Sequence, residues 1–390
     1  MKKRKIIYIY YRAYDTFFFP KDHEYYYLSG WSQQIASNTL KYAENSYLIE
    51  NWRPEKEISS PEVTQINGVV CRLFPARYIP HIGYFSASMI RELKKQILDF
   101  DVLIYHNTIF NNLFYLLLFM CNRIPVIAQN QGDLPPELRY NENRKIRNRF
   151  TQFIEKNALK YVDHFFVLRK RQMEYLAKLL PGYSVSLQTM GVDFEQFKPE
   201  DKAISRQKLN LPLHKKIMLY IGRFYSLKGV HCILKAYQEL KSYYDLELIL
   251  IGGSPEDELY NDVKSSGARF YGYLEHNELP AFFSAADVYV LPSFTPNYAG
   301  IDVTTLESLA CGTPIVSTTL NDFPSDDWRK LGLIPRNEED LTYCISEIFN
   351  NPNHYRECRE KAQQYYDWEI ITQNTLHIYE KLFNSYYQEI

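Results

Sequence analysis

No apolar run in this chain approaches the length needed to span a bilayer, so a membrane-spanning helix is excluded. The six cysteines (Cys71, Cys121, Cys232, Cys311, Cys344, Cys358) include no CxxC pair, which argues against a zinc site. No DxD sequence stands in a magnesium-binding context. Gly252-Gly253-Ser254-Pro255 reads as a turn rather than a GxGxxG fingerprint, and neither an internal repeat nor a low-complexity tail is evident. After Met1-Lys2-Lys3-Arg4-Lys5, the stretch Ile6 to Tyr10 is too short for a cleavable signal, so a cytoplasmic chain with reduced, mostly buried thiols is expected.

What is present fits two globular domains. The 390 residues are 46% apolar and 23% charged, enough for two separate cores. The net charge of −1 hides a partition: residues 1–195 hold 26 Lys+Arg against 19 Asp+Glu, and the remainder 19 against 27. A basic first half fits attraction to an anionic membrane surface or a phosphorylated acceptor, and equally an ordinary partition of charge between domains. The Tyr- and Phe-rich stretch from Arg12 to Ser29 fits packing, a membrane interface or stacking on a sugar. The basic segment Arg139 to Arg149 fits lipid headgroups or a solvated helix face.

Buried parallel strands are expected at Lys5–Tyr10, Asp101–Asn107, Pro125–Gln129, Lys216–Ile221, Leu246–Ile251 and Val288–Leu291, with helices at Val230–Leu240 and over Val303, Leu306 and Ala310. Gly312 and Pro314 stop the latter helix. A loop from Phe294 to Gly300 precedes it at the carboxyl end of a strand, where an α/β sheet binds ligands and a helix N-terminus receives phosphate. The loop Gly222-Arg223-Phe224-Tyr225-Ser226-Leu227-Lys228-Gly229 delivers two cations, five residues apart, to a second such place, enough to surround a diphosphate.

The stretch from Val290 to Val316, taken with Gly-Arg-x4-Lys-Gly at 222–229, resembles the donor-binding segment of the family 4 retaining glycosyltransferases. That resemblance implies an α/β chain of GT-B fold, two Rossmann-like doubly wound domains facing a central cleft. It places an acceptor-side domain at 1–198, a nucleotide-sugar domain at 199–368 and a crossover helix at 369–390. It implies donor contacts at Gly30, Arg223, Lys228, Leu274, Gly300, Ile301, Asp302 and Glu307. His106, in an Asp-Val-x-x-x-His context, is implied to act beside the reacting sugar, with Arg223 and Lys228 stabilising the leaving diphosphate. Gln131 stands where relatives often place a His-Gly pair and reads as an acceptor contact.

One position departs from the pattern. Eight residues before Glu307, where the family carries a first glutamate, this chain has Ala299. Asp302 either substitutes for that carboxylate or caps the helix by accepting from the N–H of Thr304 or Thr305. The resemblance implies metal-independent, cofactor-free transfer, with retention, from a UDP- or GDP-sugar to a glycan or lipid-linked acceptor in surface glycoconjugate synthesis. The implied location is the cytoplasm or the inner face of the membrane, with no nucleic-acid partner. Because of Ala299, a noncatalytic sugar-nucleotide-binding or complex-forming partner is the alternative.

Overall fold

The computed structural model describes residues 2–10, 30–43, 46–56, 58–79, 83–107, 109, 114, 117–118, 124–130, 153–294 and 302–387. The aromatic stretch 12–29, Gln131, the basic segment 139–149 and the loop carrying Ala299, Gly300 and Ile301 lie outside the described residues. The chain divides into two compact units, one of residues 1–190 and 371–390, the other of residues 191–370.

The first unit is built on an eight-stranded sheet. From edge to edge it runs Ser184–Leu187, His164–Val167, Val126–Gln129, Asp101–His106, Arg4–Ile9, Leu48–Glu55, Val69–Pro75 and Glu62–Ile66. Every pairing is parallel except the last. The central runs Ile6–Ile9 and Val102–Tyr105 are fully buried, because a parallel sheet needs both faces covered. The antiparallel edge strand Glu62–Ile66 turns at Asn67 (φ 48°) and Gly68 (φ 79°), a left-handed pair that makes a two-residue hairpin. Asn-Gly is a strong local signal for such a hairpin. The chain's last helix, Trp368–Tyr387, delivers Tyr379 to the Tyr8 hydroxyl at 2.8 Å and Glu380 to Arg4 at 2.7 Å.

The second unit has six parallel strands in the order Arg269–Tyr271, Leu246–Ile251, Lys216–Ile221, Val288–Leu291, Ile315–Ser317, Gly332–Leu333. Numbered along the chain this is 3-2-1-4-5-6, and the order reverses between Lys216–Ile221 and Val288–Leu291. Val192, Phe194 and Phe197 sit in this unit's core, and Arg359 ties the chain down by donating to the carbonyls of Phe194 and Phe197, both at 2.8 Å. That anchoring puts the division at Met190–Gly191, ahead of the expected break after residue 198.

The helix Val303–Ala310 is buried from Thr305 onward, which suits its small and aliphatic residues. It ends as the sequence indicates: Gly312 takes φ 77°, its N–H reaches Leu309 O at 2.9 Å, and Thr313 N–H reaches Ser308 O at 3.0 Å. This paired closure satisfies carbonyls the helix leaves open and needs glycine at the left-handed position.

Candidate functional site

Arg223 and Lys228 lie on the loop beyond the carboxyl end of Lys216–Ile221, Asp302 lies at the N-terminus of the helix after Val288–Leu291, and Glu307 lies within that helix. After the first strand the chain passes through Arg223 into a 3-10 turn, Ser226–Lys228, closed by Gly229 at φ 73°. A Cβ on Gly229 would stand 2.1 Å from Pro292 O, so only glycine lets this loop lie against the end of Val288–Leu291. Ser293 Oγ donates to Leu227 O at 2.6 Å and fastens the two loops together.

Arg223 is held from behind. Its Nε donates to Asp257 Oδ1 at 2.7 Å, and Nη2 reaches the same oxygen and the Tyr225 hydroxyl. Asp257 is wholly buried and also accepts from Phe224 N–H at 2.8 Å and Ser254 N–H at 3.2 Å. Burial, the strongest single influence, pushes the Asp257 carboxyl up, but Arg223 and the two backbone donors outweigh it and leave it below its ordinary value. The guanidinium itself is raised, chiefly by its bond to Asp257. Sequence reasoning missed Asp257, although an acidic turn (Glu256-Asp257-Glu258) just after a Gly-Gly pair at a strand end was a usable signal.

Lys228 Nζ donates to Asp302 Oδ2 at 2.8 Å, both side chains about three-quarters buried. Asp302 begins the helix Val303–Ala310, but its carboxylate makes no capping bond to a helix N–H; only its backbone carbonyl accepts, from Thr305 and Leu306. The capping role expected for Asp302 is therefore corrected. A nearby ammonium is a stronger partner than a backbone amide, and the fold supplies one.

Glu307 lies on the same helix with its side chain 3% exposed. One carboxylate oxygen, Oε1, is 2.6 Å from His276 Nε2, while Oε2 is buried and has no hydrogen-bond partner among the described residues. Such an orphaned acceptor is costly in a folded protein and marks a place where a donor is missing. His276 opens the 3-10 turn His276–Glu278, just past Arg269–Tyr271, and its side chain is 53% exposed. The hydrogen bond to Glu307 raises the His276 pKa, against the opposing effect of burial. His276 was not singled out from sequence. Leu274, expected at the donor, packs half-buried against this unit's core.

In the first unit, His106 ends the strand Asp101–His106 beside Ile9, at that sheet's own reversal of strand order. Its ring is fully buried and stacks on Phe114 with centroids 3.8 Å apart. Gly30 is the N-cap of the helix Trp31–Tyr42 at φ −65°, ψ 135°, a conformation open to any residue, so its backbone does not require glycine. Beneath that helix start, Ser32 donates to Asn51 at 2.8 Å and accepts from Asn107 at 3.0 Å, a buried polar network. Among the described residues, His231, Cys232 and Glu338 also bring potential metal-ligand atoms within 4.8 Å of one another.

Two α/β units, one on a wholly parallel sheet and the other on a sheet parallel but for one edge strand, define a protein of two Rossmann-like domains. Residues 201–365, most of the second unit, match the family described as glycosyl transferases group 1. D-inositol 3-phosphate glycosyltransferase of Corynebacterium urealyticum is 27% identical over 248 residues, 57% of this chain and 58% of that protein. The chain spans about half the length of the curated relatives it matches, 51% and 48% in two others. Among solved structures, sucrose-phosphate synthase from Thermosynechococcus elongatus superposes with a TM-score of 0.70 at 20% identity, covering 98% of this chain and 100% of that one. Anabaena HepE in complex with UDP gives 0.68 at 15%, covering 97% and 100%. At these identities the likeness establishes the fold, which is GT-B.

Proposed function

We propose that this protein is a retaining glycosyltransferase that moves a sugar from a nucleoside diphosphate donor to a glycan or lipid-linked acceptor, in the assembly of a surface polysaccharide or glycoconjugate. The observation that carries the proposal is the orphaned Oε2 of Glu307 on the helix that begins with Asp302, the partner of Lys228, in the same unit as the Asp257-braced Arg223. A carboxylate that only accepts suits ribose hydroxyls, and two fixed cations suit a diphosphate. Because catalysis gains most where charge develops, Arg223 and Lys228 act on the leaving diphosphate as the glycosidic bond breaks. UDP is the first donor base to test, since HepE was solved with UDP and with UDP-glucose. In this reading Gly300 and Ile301 contribute backbone contacts to the donor, and His106 serves the reacting sugar.

The noncatalytic reading keeps two supports: Ala299 stands where the family has its first glutamate, and Asp302 already neutralises Lys228. The experiment is a thermal-stabilisation panel of UDP, GDP, ADP and their sugars, followed by hydrolysis of the best donor without acceptor, with and without EDTA. A ligand that binds only the native state raises its melting temperature. Stabilisation by one nucleotide family with EDTA-insensitive hydrolysis supports the enzyme. Stabilisation with no turnover supports the noncatalytic reading, and no stabilisation removes both.

A further inference from the structure

We propose that His276 is a positioning residue that fixes the Glu307 carboxylate, and through it makes the site select nucleotides with an intact ribose diol; this rests on the donor reading above. His276 is anchored on two sides. Its Nε2 lies 2.6 Å from Glu307 Oε1, and since a carboxylate only accepts, Nε2 carries the proton. Its ring packs against Phe197 with centroids 4.8 Å apart at 56°, and Phe197 is itself pinned through its carbonyl by Arg359 Nη1 at 2.8 Å.

The anchoring matters because of what it leaves over. A glutamate held by its backbone alone can rotate about its terminal torsion and present either oxygen, or neither, to a ligand. With Oε1 tied to His276, the carboxylate has one orientation, Oε2 is turned to a place with no protein donor among the described residues, and Oε1 keeps a further lone pair. Two adjacent hydroxyls on one ligand match that pair of acceptors. A ligand lacking one hydroxyl leaves a buried acceptor unpaired, which discriminates more strongly than an added contact does. His276 therefore supplies preorganisation without touching the ligand.

The test is isothermal titration of the wild type, His276→Ala, His276→Gln and Glu307→Gln with UDP and 2′-deoxy-UDP, and with the corresponding GDP and ADP pairs. Wild type should favour the ribonucleotide by roughly tenfold or more, the scale of a hydrogen bond to a charged group. His276→Ala should reduce that preference to about threefold or less, with a smaller loss of affinity for the deoxynucleotide, since it is orientation that is lost. His276→Gln, whose amide can still donate to Oε1, should restore most of the preference. A role for His276 in folding alone would lower both affinities together and leave the ratio at its wild-type value. An unchanged ratio in His276→Ala overturns the proposal while leaving the donor reading intact. If wild type binds no nucleoside diphosphate, the donor reading falls and this proposal with it. The exposed half of His276 makes a folded Ala variant accessible, and His276→Gln gives a second, conservative measurement.

Discussion

Replacing Glu307 by Gln should separate stability from binding, because the carboxylate is built for something other than holding the fold together. Gln keeps an oxygen for His276 to donate to, so the contact at Oε1 survives in neutral form. At Oε2 the wild type buries an unpaired charged oxygen, and an unmet buried group costs on the order of 1–3 kcal/mol. An unpaired amide there costs less than an unpaired anion, and this offsets the weakened bond to His276. The free variant should therefore stay within about 1 kcal/mol of wild type in urea denaturation. Donor binding should behave oppositely: losing a hydrogen bond to an ionised acceptor is about 1.5–3 kcal/mol, or roughly 10- to 150-fold in Kd. His276 reports the same change. With its main cause, the Glu307 bond, reduced to a neutral contact, its raised pKa should fall toward the ordinary value in an NMR titration. The sign of the linked pH dependence follows. The pair's stabilisation is full below the unfolded histidine pKa and fades as pH rises through the raised folded value, and Glu307→Gln should remove that slope. A Kd within threefold of wild type, or a stability loss above about 3 kcal/mol with unchanged binding, would refute the reasoning.

Three further outcomes are expected. Asp257→Asn removes the buried anion that braces Arg223 and should cost about 2–4 kcal/mol in urea denaturation while weakening nucleotide binding; a loss below about 1 kcal/mol would contradict the bracing role. Gly229→Ala must shift either the 226–229 loop or Pro292, since the new methyl meets a backbone carbonyl in a left-handed conformation. It should lose at least about 1–3 kcal/mol and lower donor affinity, and a wild-type melting temperature would count against the loop geometry. His164 is buried, and its pKa is pushed down to about 4, chiefly by burial. Below its unfolded pKa the unfolded chain takes up a proton that the folded chain refuses, so stability falls between about pH 6.5 and 4, by up to about 3 kcal/mol at the low end. His164→Gln should flatten that part of the stability profile, and an unchanged profile would assign the acid loss elsewhere.

The elements that frame the site were legible because local patterns leave them no choice. The apolar runs Leu248–Ile251 and Val288–Leu291 are buried whole, and both occur as the strands expected of them. Val303–Ala310 follows from apolar residues at helical spacing, and its end from Gly312, which alone takes the left-handed closure without strain. The Asn67-Gly68 hairpin obeys the same kind of local rule.

Pairing among charged groups was not legible, because it depends on which loops the sheet brings to one rim. Asp302 shows the difference: its place before a helix favours a cap, yet the sheet carries Lys228, 74 residues away, to its carboxylate, and a charge-assisted bond wins over a neutral amide. The sequence marks Arg223 and Lys228 as a pair of cations, and only the fold gives each an acidic partner, from 34 residues away in the case of Arg223. Glu307 could be named from its spacing in the chain. That one of its oxygens is held by His276, 31 residues earlier, and the other left unpaired is a property of three dimensions. Local sequence determined where the strands, helices and stops lie, because backbone geometry and burial act over a few residues. Only the tertiary structure decided how the site's charges are shared, because electrostatic pairing acts through space and takes whatever partner the fold brings near.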